Sequence, residues 1–184
     1  MRFFFGFLSA IVVTIVPVLI VIWTGRINVA ATHPSPILER VLAFAAARSI
    51  ARHADAMSNP VAAEPQVLDV GLRQYAEMCL MCHGAPDVEP QVFARHLSPK
   101  PPPLTAAAVQ ASSDGTLFWI VANGIMATGM QAFGPTHSDE ELWTLVTFLR
   151  HLPQLSPGER EHLLTAQSGS HQAGRTHEHA KHKH

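Results

Sequence analysis

Apolar residues along this chain fall into blocks whose spacing announces helices. The first, FFFGFLSAIVVTIVPVLIVIW from Phe3 to Trp23, is 21 residues without a charge between Arg2 and Arg26. As a helix it would be about 30 Å long, the hydrocarbon thickness of a bilayer, so it predicts a single membrane crossing. His33-Pro34-Ser35-Pro36 then breaks the backbone, and Ile37 to Met57 predicts an alanine- and leucine-rich helix with Arg48 and Arg52 one turn apart. That helix reads either as a solvated stalk leaning on a domain or as a basic helix lying on lipid headgroups or a partner subunit. Asn59-Pro60 and Glu64-Pro65 mark a linker.

From Leu68 to Cys82, Leu72, Tyr75, Cys79 and Cys82 recur at helical spacing. The prolines at 99, 101, 102 and 103 exclude a helix or a central strand there. Ser113 or Asp114 caps a short helix bearing Leu117, Phe118, Ile120 and Val121, which Gly124 stops. Ser138-Asp139-Glu140-Glu141 is a capping box opening a helix with Leu142, Leu145, Val146, Leu149 and Leu152 on one stripe, ended at Pro153. A short helix from Gly158 to Ala166 closes the pattern. No alternating run is long enough for a sheet. The expectation is an all-α fold with long ordered loops, and such loops need something to pack against. The divisions are an anchor over 1–26, a stalk helix and linker over 27–67, a domain over 68–166, and a disordered tail over 167–184.

Length and composition agree: 184 residues, 47% hydrophobic and 15% charged, bury one modest core. The net charge of -1 hides a division, with basic flanks around an acidic centre over 69–167. Such a centre has no basic patch for nucleic acid and favours a positively charged protein partner. Val29-Ala30-Ala31 resembles a cleavage site, but a signal-peptide core usually runs about 7–15 residues, so the longer run here reads as a retained anchor. Either way the remainder is exported. No cysteine near the N-terminus provides a lipid attachment point. The tail, HQAGRTHEHAKHKH, carries His171, His177, His179, His182 and His184, which read as copper, zinc or nickel ligands or as a solubilising extension.

The chemistry concentrates in CLMCH, which holds Cys79, Cys82 and His83. Zinc in a closed structural site needs four ligands, and the chain has no second cysteine pair. A redox dithiol would need a βαβ context, and none is visible. A disulfide would close only a tiny loop and stabilise little. Covalent haem attachment explains all three residues together: each thiol adds to one vinyl group, and His83 stands beneath the iron as proximal ligand. The second axial position then has Met126, Met130, His96 and His137 as candidates. Met130, in ATGMQAFG, is favoured because Gly129 and Gly134 let the backbone approach a flat macrocycle. Met126, Met78 and Met81 read as packing or pocket-lining residues, His137 as a surface residue, and Trp119 and Trp143 as core.

CLMCHG, PPPL, GMQAFG and the capped final helix ELWTLVTFLRHLP together resemble a class I mono-haem c-type cytochrome of the membrane-anchored bacterial kind. The likeness extends over about residues 1 to 165. It implies a small α-helical fold whose first and last helices cross beside one covalent haem c. It further implies thioethers at Cys79 and Cys82, axial His83 and Met130, and a Pro103 carbonyl that orients His83. The related motif often has proline after the methionine, where this chain has Gln131. The implied role is one-electron transfer between ferric and ferrous iron, without enzymatic turnover, in the periplasm beside the cytoplasmic membrane. The implied partners are a quinol-oxidising complex, a terminal oxidase or a periplasmic dehydrogenase. The alternatives are a gas sensor or peroxidase with a vacated iron site, and a metal-handling protein using the histidine tail.

Overall fold

The computed structural model describes residues 2–25, 36–54 and 56–181, with side chains described except at 2–5, 8, 10, 38 and 170–181. Eight α-helices run through them: α1 (Arg2–Trp23), α2 (Pro36–Ala54), α3 (Pro65–Met78), α4 (Leu80–His83), α5 (Ala107–Gln110), α6 (Asp114–Asn123), α7 (Asp139–His151) and α8 (Pro157–Lys181). Single 3-10 turns stand at Ala94–His96 and Leu152–Gln154. An isolated bridge between Ala85 and Val88 is the one β interaction among the described residues. The chain divides into two units, Met1–Glu39 and Arg40–His184. Val29-Ala30-Ala31 and His33 to Ser35 lie outside the described residues.

In the first unit, α1 is continuous through Pro17 and exposes Val13, Val18, Ile22 and Trp23. Among the described residues no helix is long and apolar enough to cross a membrane. The crossing expected from Phe3 to Trp23 therefore rests on the sequence.

The second unit is organised by the crossing of α3 and α7. Gly71 makes the crossing close: a Cβ there would stand 2.5 Å from the Phe148 Cβ and 3.2 Å from the Thr144 carbonyl. Tyr75 lies against Phe148, ring centroids 5.5 Å apart, and both are fully buried with Leu142, Leu145 and Val146. Burial of that stripe drives the assembly. The start of α7 is the capping box expected. The Glu141 N–H donates to the Ser138 hydroxyl at 3.3 Å, and the Ser138 N–H donates to the Glu141 carboxylate at 2.8 Å. α6 begins where Ser113 accepts from the Thr116 N–H at 3.1 Å and ends at Gly124. It joins the core by stacking Phe118 on the buried Trp143, centroids 4.1 Å apart and 14° between planes.

The linker is tied down by polar bonds: Asn59 donates to the Thr147 hydroxyl at 2.9 Å, and that hydroxyl lies 3.3 Å from the Val61 carbonyl. The end of α2 rests on α6, with Ile50 and Ala54 buried and His53 stacked on the half-buried Trp119 at 5.8 Å.

Two boundaries differ from the sequence reading. The helix expected from Leu68 to Cys82 starts at Pro65 and pauses at Cys79, whose φ of -113° interrupts it before α4. α8 runs on past Ala166 to Lys181 instead of ending where the tail was expected to begin. Its start is firmly set. A second capping box links Ser156 to Glu159, His151 meets the Glu159 carboxylate at 3.0 Å, and Leu163 is fully buried. From there the sequence contains no proline to stop it. The side chains of His171, His177 and His179, and all of His182 and His184, lie outside the description.

Candidate haem site

The end of α3 delivers the CLMCH segment. The Cys79 carbonyl accepts from both the Cys82 N–H (3.1 Å) and the His83 N–H (2.9 Å), which winds the motif into one tight turn. Cys79 is buried within the core cluster, Cys82 is half-buried, and both are free thiols. Burial, reinforced by neighbouring Cys82, pushes the Cys79 thiol up to about 12, and burial raises Cys82 as well. Both sulfurs are therefore protonated at neutral pH, the opposite of the depressed thiol that a redox dithiol requires. Among the described residues no group of three or more His, Cys, Asp or Glu comes together to hold a metal ion.

His83 is oriented from the proline-rich loop. Its Nδ1 lies 2.8 Å from the Pro102 carbonyl. A carbonyl only accepts, so Nδ1 bears the proton and Nε2 keeps the lone pair available to iron. Burial lowers the His83 pKa and outweighs the opposing pull of the Pro102 bond, which keeps the ring neutral and ligand-competent. The orienting carbonyl is Pro102 and not Pro103 as the resemblance implied. The Pro103 carbonyl is already engaged, accepting from the Ala106 N–H at 3.0 Å to start the turn into α5.

Tyr75, which the sequence reading placed only on the helical stripe, and residues it did not single out hold this half of the site. The Tyr75 hydroxyl donates to the Gly84 carbonyl at 2.5 Å, and burial pushes the Tyr75 phenol far up, so it stays a donor. Gly84 takes φ +64°, with the Val88 carbonyl standing where a Cβ would be. Gln110 donates to the Leu104 carbonyl at 2.7 Å and the Leu149 carbonyl at 3.0 Å, joining the end of the proline loop to α7. Arg150 spreads its guanidinium over Asp114 (2.7 Å), the Gln110 carbonyl (2.7 Å) and the Ser112 carbonyl. Nothing in local periodicity marks an isolated Gln or Arg for such work; the bonds span 36 to 40 residues for Arg150.

Met130 is half-buried and packs against the core cluster that contains Cys79 and Leu80. Its loop is pinned at both ends. Its N–H donates to the Thr128 hydroxyl at 3.0 Å, its carbonyl accepts from the Ile125 N–H at 3.1 Å, and the Phe133 N–H donates to the Val121 carbonyl at 3.0 Å. Gly124, at φ +66°, permits this: a Cβ there would lie 2.7 Å from the Met130 carbonyl. The other candidates are not held this way. Met126, expected to line a pocket or pack in the core, is 94% exposed, beside Ala127 at φ +62°. Met81, expected to pack, is 41% exposed, while Met78 does pack against the core. His96 is exposed, and the half-buried His137 is engaged by Thr136 at 2.9 Å and set edge-on to Phe133 at 5.9 Å.

These donors fit a haem c: two protonated thiols on one turn, an imidazole with its Nε2 free, and a thioether on a pinned loop against the same core. Residues 66–149 match the family model described as cytochrome c oxidase, cbb3-type, subunit III. The match includes CLMCH, Pro102 and Met130, and ends within α7, so α8 is an addition to it. No curated protein sequence matches the chain.

Proposed function

We propose that the protein, whose residues 66–149 match a cbb3-type cytochrome c family model, is a one-electron carrier built on a single covalently attached haem c. The haem supplies a ferric/ferrous couple when bound. Cys79 and Cys82 provide the two thioether links, His83 the proximal ligand through Nε2, and Met130 the distal thioether. Pro102 fixes the His83 ring and its tautomer, and Thr128 and Gly124 hold the Met130 loop in place. With both axial positions filled by the protein, no substrate reaches iron, which favours transfer over turnover. Histidine with methionine raises the potential relative to two histidines, which suits the oxidising end of a chain.

The 21 uncharged residues from Phe3 to Trp23 support a single-pass anchor in the bacterial cytoplasmic membrane, with the haem domain in the periplasm. The partners proposed are redox proteins: a quinol-oxidising complex, a periplasmic dehydrogenase or a terminal oxidase. The oxidase is the one that the name of the matching family favours.

The observation that carries this reading is the His83–Pro102 bond beside two free thiols on one turn. The test is the visible spectrum of the full chain, produced in a host that matures c-type cytochromes. A covalent low-spin haem with the near-infrared methionine-to-iron band is expected. A high-spin ferric spectrum with rapid carbon monoxide binding to the ferrous form would overturn the carrier assignment in favour of a sensor or peroxidase.

A further inference from the structure

α2 has two faces of opposite character. Ile50 and Ala54 are buried, Ala46 and Ser49 are half-buried on the same stripe, and His53 stacks on Trp119. Half a turn round, Val41 is followed three and four residues on by Phe44 and Ala45, these by Arg48 four and three residues on, and Arg48 by Arg52 after four, which puts all five on one outer face. All five are exposed, Val41 to 60% and Phe44 to 68%. Arg40 stands one turn before Phe44 and is exposed too. Between Glu39 and Asp55 the helix carries three arginines and no carboxylate. A merely solvated stalk has no reason to display valine and phenylalanine among arginines while the domain that follows is acidic. An amphipathic segment at a bilayer surface has that reason: apolar side chains enter the headgroup boundary, and arginines meet lipid phosphates.

We propose that the outer face of α2, made of Arg40, Val41, Phe44, Arg48 and Arg52, binds the surface of an anionic bilayer. The occupant follows from charge complementarity, and from the uncharged run ending at Trp23, only 17 residues before Arg40. Because the inner face of α2 rests on α6, contact of the outer face with lipid holds the haem domain against the membrane. The proposal concerns the membrane attachment and stands apart from the carrier reading.

The test is amide hydrogen exchange on the full chain, reconstituted in nanodiscs of phosphatidylcholine alone or of an equimolar mixture with phosphatidylglycerol. Peptides over 40–48 should exchange at least about fivefold more slowly in the anionic discs, roughly what one arginine at a charged surface contributes. Arg48→Glu/Arg52→Glu should abolish the difference, and so should high salt. The haem spectrum reports that the variant is folded, and protection over 3–23 reports separately whether the anchor inserts. Equal exchange in the two lipids overturns the proposal whether or not the anchor inserts. Protection that is independent of lipid charge and survives the double reversal also overturns it, since the face would then be covered by protein.

Discussion

Replacing Gly71 by alanine isolates the contact on which the domain is built. In a free helix the change is favourable by about 1 kcal/mol, since alanine is the better helix former. At the crossing the new Cβ would stand 2.5 Å from the Phe148 Cβ, where ordinary contact begins at 3.4 Å. The obstructing atom is attached directly to the α7 backbone, so no side-chain rotation relieves it. The two helices must separate by close to an ångström, loosening Tyr75 against Phe148. Overpacking of this kind costs about 1–3 kcal/mol, and a backbone-proximal clash belongs in the upper half of that range. After the propensity gain, a net loss of about 1–2 kcal/mol is expected. The assay is guanidinium unfolding of the full-length holoprotein, followed by far-ultraviolet circular dichroism and Soret absorbance. Gly169→Ala is the control: it lies in α8 with nothing within 4 Å of its Cβ position, and it should be neutral or stabilising by up to about 1 kcal/mol. If Gly71→Ala proved as stable as the parent, the α3–α7 crossing would not be limited by this glycine.

Gly124→Ala forces a Cβ onto the Met130 carbonyl at φ +66°. It should cost about 1–3 kcal/mol and weaken the near-infrared methionine band, while the haem stays covalently attached to the chain even after denaturation. Arg150→Lys keeps the charge but loses the planar fork that reaches Asp114 and two carbonyls. A loss of about 1–2 kcal/mol in denaturant titrations is expected, and none would mean that the pair, about a third exposed, is screened into irrelevance. Burial alone would raise Glu159, but hydrogen bonds from Ser156 and the neighbouring His151 outweigh it and hold it below its usual range. A depressed carboxylate contributes stability above its ordinary pKa and loses it as pH falls through the folded value. The stability advantage of the parent over Glu159→Gln should therefore shrink progressively below about pH 5 in thermal melts across a pH series.

What could be read from the sequence was what local chemistry determines. Ser113, Gly124 and the Ser138–Glu141 box set helix ends within a few residues of themselves, and CLMCH announces its turn without help from elsewhere. Ser156–Glu159 is the same capping signal, but the weakly apolar stretch after it gives no periodicity from which to read how far α8 extends. Pro102 could not be separated from Pro103, because four prolines share one composition and only the Ala106 bond decides which carbonyl is left over. Met126 read as a core or pocket-lining residue because methionine usually is one; the positive φ at the neighbouring Ala127 is a backbone feature that no side-chain pattern encodes. Gly71 was invisible because a glycine within a helix reads as a weakness until the helix that crosses it is known.

The bond from Tyr75 to Gly84 has a kinetic consequence. Together with the Cys79 carbonyl turn and the Ala85–Val88 bridge, it closes the run from Tyr75 to Val88 with bonds internal to that run, while Tyr75 on Phe148 and the His83–Pro102 bond tie the same run to α7 and the proline loop. Such a segment orders early and reopens only when the whole domain does. The Met130 loop is closed by its own short-range bonds and pinned to the end of α6, but Met130 is only half-buried and its neighbours Met126, Ala127, Gly129, Gln131 and Ala132 are exposed. The two sides of the site thus differ in opening free energy. The loop bearing Met130 should breathe at far lower cost than the turn bearing His83, so any exogenous ligand that reaches the iron should arrive from the methionine side, at a rate set by loop opening rather than by unfolding.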